Sequence, residues 1–324
     1  MGTAAIRNIS LETIREAAGG IYDVVLRTPL VRLPAGPGPE IFLKLETLQP
    51  IGSFKIRGAH NAIRHLTPDE LAEGVWTVSA GNAAQGVALA ARTRGTPCSV
   101  LVMDTAPETK LGAIERLGAT IVKAPYDECW RAVEEHRSDR MRGRLVHPFD
   151  DDRFISGNGT IGLELVEDLS NVDAVIAPLG GGGLLAGIAC ALRALRPGAA
   201  IYAAEPETAA PLAASFKAGR ASSFEGWRPS FVDGAGGRSV IEGMWPLLRD
   251  WVTESLIVTL DDTASAMKLV ADRVHVIAEG AAACAVAAAL SPALAARGHK
   301  KVVAVVSGGN IDLSQFAELV GACK

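Results

Sequence analysis

Val172-Asp173-Ala174-Val175-Ile176-Ala177-Pro178-Leu179-Gly180-Gly181-Gly182-Gly183-Leu184-Leu185-Ala186-Gly187 decides the architecture of this chain. Val172 to Pro178 is a short apolar run, the pattern of a strand buried on both faces. Four consecutive glycines then break the run, and a helical pattern opens over Leu184 to Leu195. The same rhythm recurs on either side. Trp76-Thr77-Val78 precedes a helical pattern over Ala83 to Arg92, Ser99 to Val102 precedes Thr109 to Leu117, and Thr120 to Val122 precedes Glu128 to Arg140. Farther on, Ala200 to Ala204 precedes Thr208 to Ala218, and Lys301 to Val306 precedes Ile311 to Val320. Such alternation predicts right-handed βαβ units, hence mostly parallel open sheets flanked by helices, and the class α/β. The turn-rich stretch His147-Pro148-Phe149-Asp150-Asp151 separates two clusters of units and ends one lobe near residue 148. The loop from Gly219 to Gly243 is long for a compact domain, which marks it as functional or mobile.

Composition narrows the function classes. With 324 residues and 48% hydrophobic content the chain can bury a large core, in two lobes by the length prior. A net charge of −4 with dispersed Lys and Arg gives no field for nucleic acid. Met1 to Ser10 lacks the basic and apolar regions of a secretory signal, so a cytoplasmic protein is expected. The apolar stretch Ala281 to Ala296 is short for a bilayer span and is interrupted by Ser291-Pro292, so a buried helix is expected and no membrane partner. Five scattered cysteines and six histidines show no metal-ligand spacing; Cys98 and Cys190 read as inert core thiols, and no metal site is expected.

The four glycines leave their N–H groups unshielded by any Cβ at a helix N-terminus, which suits a phosphate. Which phosphate stays open at this point. Gly181-x-Gly183-x-x-Ala186, with Glu205 about twenty residues on, also fits a dinucleotide fingerprint. A second strand-to-helix turn, Ser79-Ala80-Gly81-Asn82-Ala83, could hold a substrate carboxylate, or could be an ordinary cap formed by Ser79 or Asn82. Ser307-Gly308-Gly309-Asn310 follows the last apolar strand, at the edge where open α/β sheets bind ligands, and its hydroxyl could meet a ring nitrogen. Lys55, in Gly52-Ser53-Phe54-Lys55-Ile56-Arg57-Gly58, sits among small and apolar neighbours. Desolvation there favours a neutral amine able to form a Schiff base, a candidate anchor for pyridoxal phosphate. The competing reading of that segment is a surface lysine opening an amphipathic helix on Phe54, Ile56, Ala59 and Ile63. An amine, a phosphate cradle, a carboxylate loop and a strand-end hydroxyl together are what a pyridoxal phosphate site for an amino acid requires.

Taken in order, Thr28-Pro29-Leu30, Leu43-Lys44-Leu45-Glu46, Gly52-Ser53-Phe54-Lys55, Ser79-Ala80-Gly81-Asn82, Phe149-Asp150-Asp151, Gly157-Asn158-Gly159-Thr160-Ile161-Gly162, Gly180 to Gly183 and Ser307 to Asn310 resemble the threonine/serine dehydratases, pyridoxal phosphate enzymes of the tryptophan-synthase-β fold type. Asp233-Gly234 and Glu279-Gly280-Ala281 also fall where that family has residues near the cofactor ring. The resemblance implies fold type II, with a large cofactor-binding domain (1–73 and 150–324) and a small mobile domain (74–149) that closes on the substrate. It implies that Lys55 carries the cofactor, Phe54 packs beside the ring, Asn82 meets the phenolic oxygen, Gly180, Gly181, Gly182 and Gly183 hold the phosphate, and Ser307 meets the pyridine nitrogen. Residues 79–83 become the substrate loop, and a homodimer is the family expectation. The implied reaction is loss of water and then ammonia from a β-hydroxy amino acid, threonine or serine, to give a 2-oxo acid.

Within the resemblance, position 80 matters. Serine racemases carry a serine there as second-face acid/base, and Ala80 has no proton to exchange, so elimination is expected over racemisation. Ala83 stands in place of a usual histidine, Pro211 in place of an aspartate ligand for a divalent cation, and Ala282 in place of a common glycine. The chain stops at Lys324 without room for the regulatory domain of biosynthetic threonine deaminases, so isoleucine feedback is not expected. The atypical loop is similar to that of the dehydratase subgroup linked to hydroxyectoine utilization. The alternatives are a serine racemase, a β-replacing synthase, and, from other classes, an NAD-dependent oxidoreductase or a non-catalytic binding protein.

Overall fold

The valine-rich run Lys301–Val306 forms the middle of the larger of two sheets. In this computed structural model, which describes residues 7–36 and 38–323, the strands in chain order are β1 (Leu30–Leu33), β2 (Glu40–Leu45), β3 (Val75–Val78), β4 (Cys98–Met103), β5 (Thr120–Ala124), β6 (Arg144–Leu145), β7 (Ala174–Pro178), β8 (Ala200–Pro206), β9 (Glu254–Val258) and β10 (Lys301–Val306). The larger sheet has the order β1-β2-β10-β7-β8-β9, and the smaller β5-β4-β3-β6. Every pairing is parallel except β1 with β2. The α/β class and mostly parallel sheets expected from the alternation are therefore present. Residues 1–6, part of the stretch read for a secretory signal, lie outside the described residues, as does Lys324.

β10 enters the sheet between β2 and β7, with Ala304 opposite Ile176. The strand order turns around there, so the loops that leave β7 and β10 open side by side at the carboxyl edge, the place where such sheets bind ligands. That register brings the glycine run and Ser307 together. Behind the sheet lies the helix Gly280–Leu290, with ten consecutive residues buried. Its alanines let it sit close to β10 and β7 on one side and to the helix Leu260–Val274 on the other. No helix among the described residues is long and apolar enough to cross a membrane.

Several expected boundaries shift for identifiable reasons. The helix read over Glu128 to Arg140 spans Tyr126–Glu135, because His136 takes a left-handed conformation (φ 55°) and ends it. The one read over Thr208 to Ala218 begins at Pro211, where a proline is favoured in the first turn. The apolar stretch Ala281 to Ala296 is two helices, Gly280–Leu290 and Pro292–Ala295, split at Ser291-Pro292. Ile311 to Val320 becomes Leu313–Ala322, capped by Asp312. Strands β1, β2, β6 and β9 have no counterpart in the strand pattern read from the sequence. Cys98 is buried as expected, but Cys190 is only partly buried.

The helix Lys55–Arg64 is not the surface helix of the competing reading: Ile56 through Ile63 are all buried. It packs against two helices, Asn82–Thr93 and Asp152–Asp168. Glycine makes each contact close. A Cβ on Gly86 would lie 3.0 Å from the Lys55 carbonyl oxygen, one on Gly157 2.4 Å from that of Arg57, and one on Gly58 2.3 Å from the Phe154 ring.

Candidate active site

Lys55 is the first residue of its helix, and the segment before it is stitched to the end of β10. Ser53 bridges Gly308, the Phe54 N–H donates to the Ser307 carbonyl at 3.0 Å, and the Gly309 N–H donates to the Gly52 carbonyl at 2.9 Å. Gly52 has φ +70°, and a Cβ there would lie 2.8 Å from Asn310 Oδ1, so the turn needs glycine twice over. The amine of Lys55 donates to the Pro148 carbonyl oxygen at 2.6 Å and lies 5.2 and 5.5 Å from the ring centroids of Phe54 and Phe154. Burial among these groups lowers its pKa to about 8, with the Glu279 carboxylate pulling the other way. Burial thus weakens the ammonium form without abolishing it at neutral pH.

Pro148 connects the lysine to the glycine run. A Cβ on Gly181 would sit 2.1 Å from the Phe149 ring and one on Gly183 2.7 Å from the Phe149 carbonyl oxygen, while a Cβ on Gly180 would meet the Gly234 carbonyl at 2.5 Å. Gly182 has φ +91° and is the N-cap of the helix Gly183–Leu195, with no side chain capping it. The four glycines are thus set by Phe149, Gly234 and the turn, and the first-turn N–H groups of the helix have no side-chain cap, a donor set suited to a phosphate dianion.

His147 shapes this turn. Its Nδ1 accepts from the Asp150 N–H at 2.7 Å and its Nε2 meets the Val133 carbonyl at 3.1 Å, which fixes the tautomer. Burial lowers its pKa to about 4, so it stays neutral. Asp150 is held at about 2: burial would raise it, but hydrogen bonds from His136 and Arg7 prevail.

On the smaller-sheet side, the helix Asn82–Thr93 has Gly81 as its N-cap with no side-chain hydrogen bond, so neither Ser79 nor Asn82 caps it. Ser79 Oγ instead accepts from the Gly81 N–H at 3.0 Å, shaping the loop, and the helix N-terminus stays open to an anion. Ala80 is partly buried and Ala83 buried. The Asn82 amide donates to Glu279 Oε1 at 2.8 Å, and its oxygen accepts from the Asn310 amide at 2.7 Å. Burial raises the Glu279 carboxyl to about 7, partly offset by the hydrogen bond from Asn82. Ser307 is 2% exposed at the end of β10. Two further contacts span the cleft: Lys110 pairs with Asp233, and the Arg238 guanidinium lies 5.2 Å from the Tyr126 ring and 3.9 Å from that of Trp227. Asp233 and Arg238 belong to the long loop read as functional or mobile.

The structure thus brings Phe54, Lys55, Asn82, Gly180 to Gly183 and Ser307 around one cleft, joined through the Ser53–Gly308 bridge, Pro148, Phe149 and Glu279. A desolvated amine, an uncapped helix N-terminus behind a glycine run and a strand-end hydroxyl fit pyridoxal phosphate. The dinucleotide alternative fails on Glu205, which is fully buried and accepts from the N–H groups of Leu212 (2.8 Å) and Ala213 (2.9 Å) and from the Ser255 hydroxyl. It caps a helix and cannot reach a ribose. His147, Pro148 and Asn310 were not among the residues singled out as site residues; the sequence marks them as turn residues. Contacts across more than 90 positions give Pro148 and Asn310 a place here, and His147 enters by shaping the turn that carries Pro148.

Comparison with known proteins agrees with this geometry. Residues 21–308 match the family model described as "Pyridoxal-phosphate dependent enzyme". An L-threonine ammonia-lyase of Thermotoga maritima is 39% identical over 317 residues, covering 96% of this chain and 78% of the relative. Maize serine racemase superposes with a TM-score of 0.87 at 33% identity over 96% of each chain. The processed threonine deaminase isoform 2 of Solanum lycopersicum superposes with a TM-score of 0.84 at 31% identity, over 99% of this chain and 98% of that one. This chain belongs to the pyridoxal-phosphate dependent enzyme family, with the threonine ammonia-lyase group among its relatives.

Proposed function

We propose that the protein is an ammonia-lyase that removes water and then ammonia from a β-hydroxy amino acid, threonine or serine, to give a 2-oxo acid. The observation that carries this reading is the depressed amine of Lys55, wedged between Phe54, Phe154 and the Pro148 carbonyl at the head of its helix. Bound pyridoxal phosphate supplies the electron sink that lets the bond to the α-proton of an amino acid break.

The chain's own groups do the rest. Lys55 would anchor the cofactor and would be the base for the α-proton; a pKa near 8 leaves a useful neutral fraction at neutral pH. The N-terminus of the helix Asn82–Thr93 and the loop Ser79-Ala80-Gly81-Asn82-Ala83 hold the substrate carboxylate. Gly180 to Gly183 would hold the phosphate, Asn82 would meet the phenolic oxygen, and Ser307 would meet the pyridine nitrogen as a hydroxyl, which does not favour its protonation. Ala80 offers no proton to the second face, which favours elimination over racemisation. The smaller sheet and its helices, about residues 74–149, close as a unit over the remainder, with Asn82, Lys110 and Tyr126 meeting Glu279, Asp233 and Arg238 across the cleft. The same reading includes a cytoplasmic homodimer and, as an alternative to threonine or serine, a related compound of hydroxyectoine utilization.

The test is a spectrum of the loaded protein, borohydride reduction with peptide mapping, and assays of 2-oxo acid and ammonia with L-serine, L-threonine and hydroxyectoine. Absorbance at about 410–430 nm, an adduct on Lys55 and 2-oxo acid release are expected. A colourless protein with no adduct ends the proposal, and D-serine as the main product from L-serine replaces it with the racemase. Light scattering checks the dimer.

A further inference from the structure

Two residues beyond Lys55, a knot of four charges lies in the protein interior. Arg57 and Lys44 are 0% exposed, as is Glu46, and the Glu164 side chain is 1% exposed. Arg57 binds Glu46 through Nε and Nη2, both at 2.8 Å, and Glu164 through Nη1 at 2.6 Å and Nη2 at 3.0 Å. Its Nη1 also donates to Thr160 Oγ1 at 2.9 Å. Lys44 meets Glu164 Oε2 at 2.5 Å and the Thr28 carbonyl at 2.6 Å. Thr28 and Gln49 donate to Glu46, and Tyr22 donates to Glu164. Among the fully buried groups two cations balance two carboxylates, and Lys44 also lies 3.8 Å from the part-exposed Asp168.

Stability is a poor reason for this arrangement. A buried ion network gains little over apolar packing of the same volume. A cation in the first turn of a helix also opposes the helix dipole. Geometry supplies a better reason. The helix Lys55–Arg64 has no side-chain N-cap, so its first turn depends on other holds. Arg57 stands about 200° around the helix from Lys55, gripping from behind the turn that presents the amine to the cleft. Its planar fork reaches Glu46, just after β2, and Glu164, on the helix Asp152–Asp168, so the turn is fixed to the sheet and to its packing partner at once.

We propose that Arg57 is a positioning residue for Lys55, its guanidinium held by Glu46 and Glu164 setting the rotation and advance of the helix that carries the amine. The proposal rests on Lys55 being the reactive lysine. It concerns how this chain places that group, and it accounts for a buried ion network that the chemistry itself does not use.

The decisive variant is Arg57→Met with Glu46→Gln, which leaves Lys44 and Glu164 as a neutral pair and keeps the charge balance. Lys55 is then titrated in cofactor-free protein by competitive acetylation and mass spectrometry, alongside kcat, KM and the urea midpoint. In the wild type the labelling midpoint falls near 8. In the variant it moves up toward the ordinary value of 10.5 as the loosened amine gains water. The turnover kcat falls about tenfold or more with KM within about twofold, since placement is lost while the substrate loop is intact. Arg64→Met, at the far end of the same helix, leaves the midpoint unchanged.

A folded double variant with wild-type midpoint and kcat overturns the proposal. If the double variant does not fold, Arg57→Lys keeps the charge without the fork; the same shift is expected, and wild-type behaviour there also overturns it. A wild-type protein whose Lys55 titrates as a solvated lysine and gives no borohydride adduct removes the lysine assignment instead, a separate failure.

Discussion

The side-chain amide of Asn82 donates to Oε1 of Glu279 across 197 residues of chain, at 2.8 Å. Asn82 opens a helix of the smaller sheet, and Glu279 precedes the alanine helix that backs the larger one. One hydrogen bond therefore spans the cleft beside Lys55. Its acceptor is a carboxyl that burial raises to about 7, and Lys55 is lowered to about 8 by the same cause. Burial shifts both groups toward the uncharged form.

This pair gives the cofactor-free protein a characteristic pH dependence. The folded state keeps the Glu279 proton up to about pH 7, whereas the unfolded chain releases it near the ordinary 4.5. Stability from this group therefore falls as pH rises between those values and is level above them. Lys55 acts oppositely: the unfolded chain holds its proton to about 10.5 and the folded state only to about 8, so stability rises with pH across that window. Each limb has a slope of up to about 1.4 kcal/mol per pH unit. Urea unfolding across pH should show both, with Glu279→Gln flattening the lower limb and Lys55→Met the upper. A lower limb unchanged by Glu279→Gln would mean that the carboxyl titrates normally.

Gly181→Ala tests the wall of the phosphate cradle. The added Cβ would lie 2.1 Å from the Phe149 ring, a collision that an aromatic side chain backed by Pro148 relieves only by moving. A stability loss of about 1–3 kcal/mol is expected, with cofactor affinity falling more than tenfold as the loop shifts. Gly237→Ala, with nothing within 4 Å of the added carbon, should be neutral in both measurements.

Glu205 predicts how the protein responds to metal removal. Both its carboxylate oxygens are taken by the first turn of the helix Pro211–Ala218 and by Ser255, and no cluster of three or more potential ligands occurs among the described residues. A chelator should leave melting temperature and turnover unchanged. Glu205→Ala should cost about 1–3 kcal/mol by leaving buried N–H groups unpaired. Loss of activity on chelation, restored by magnesium or calcium, would show that the carboxylate serves a cation instead.

Much of this protein is legible in its sequence, because strand and helix periodicity and glycine turns are local properties. The run Val172 to Gly187 announces its strand, turn and helix without help from the rest of the chain, and the order of motifs around Lys55, Asn82, Gly180 and Ser307 marks the family. The edges that slipped are those where one residue's backbone decides, as His136 and Pro211 do. Short strands such as Arg144–Leu145 carry too few residues for a pattern and exist only because a neighbour pairs with them. What the tertiary structure alone decided is which distant groups share a cleft and which share a core. Glu205 fits a nucleotide fingerprint by spacing and a helix cap by geometry, since spacing along a chain does not say which way a side chain faces. Arg57 is only a neighbour of Lys55 in sequence, and gains a place when Glu46 and Glu164 are folded around it. Its burial, and its grip on the turn that carries Lys55, are properties of three segments meeting.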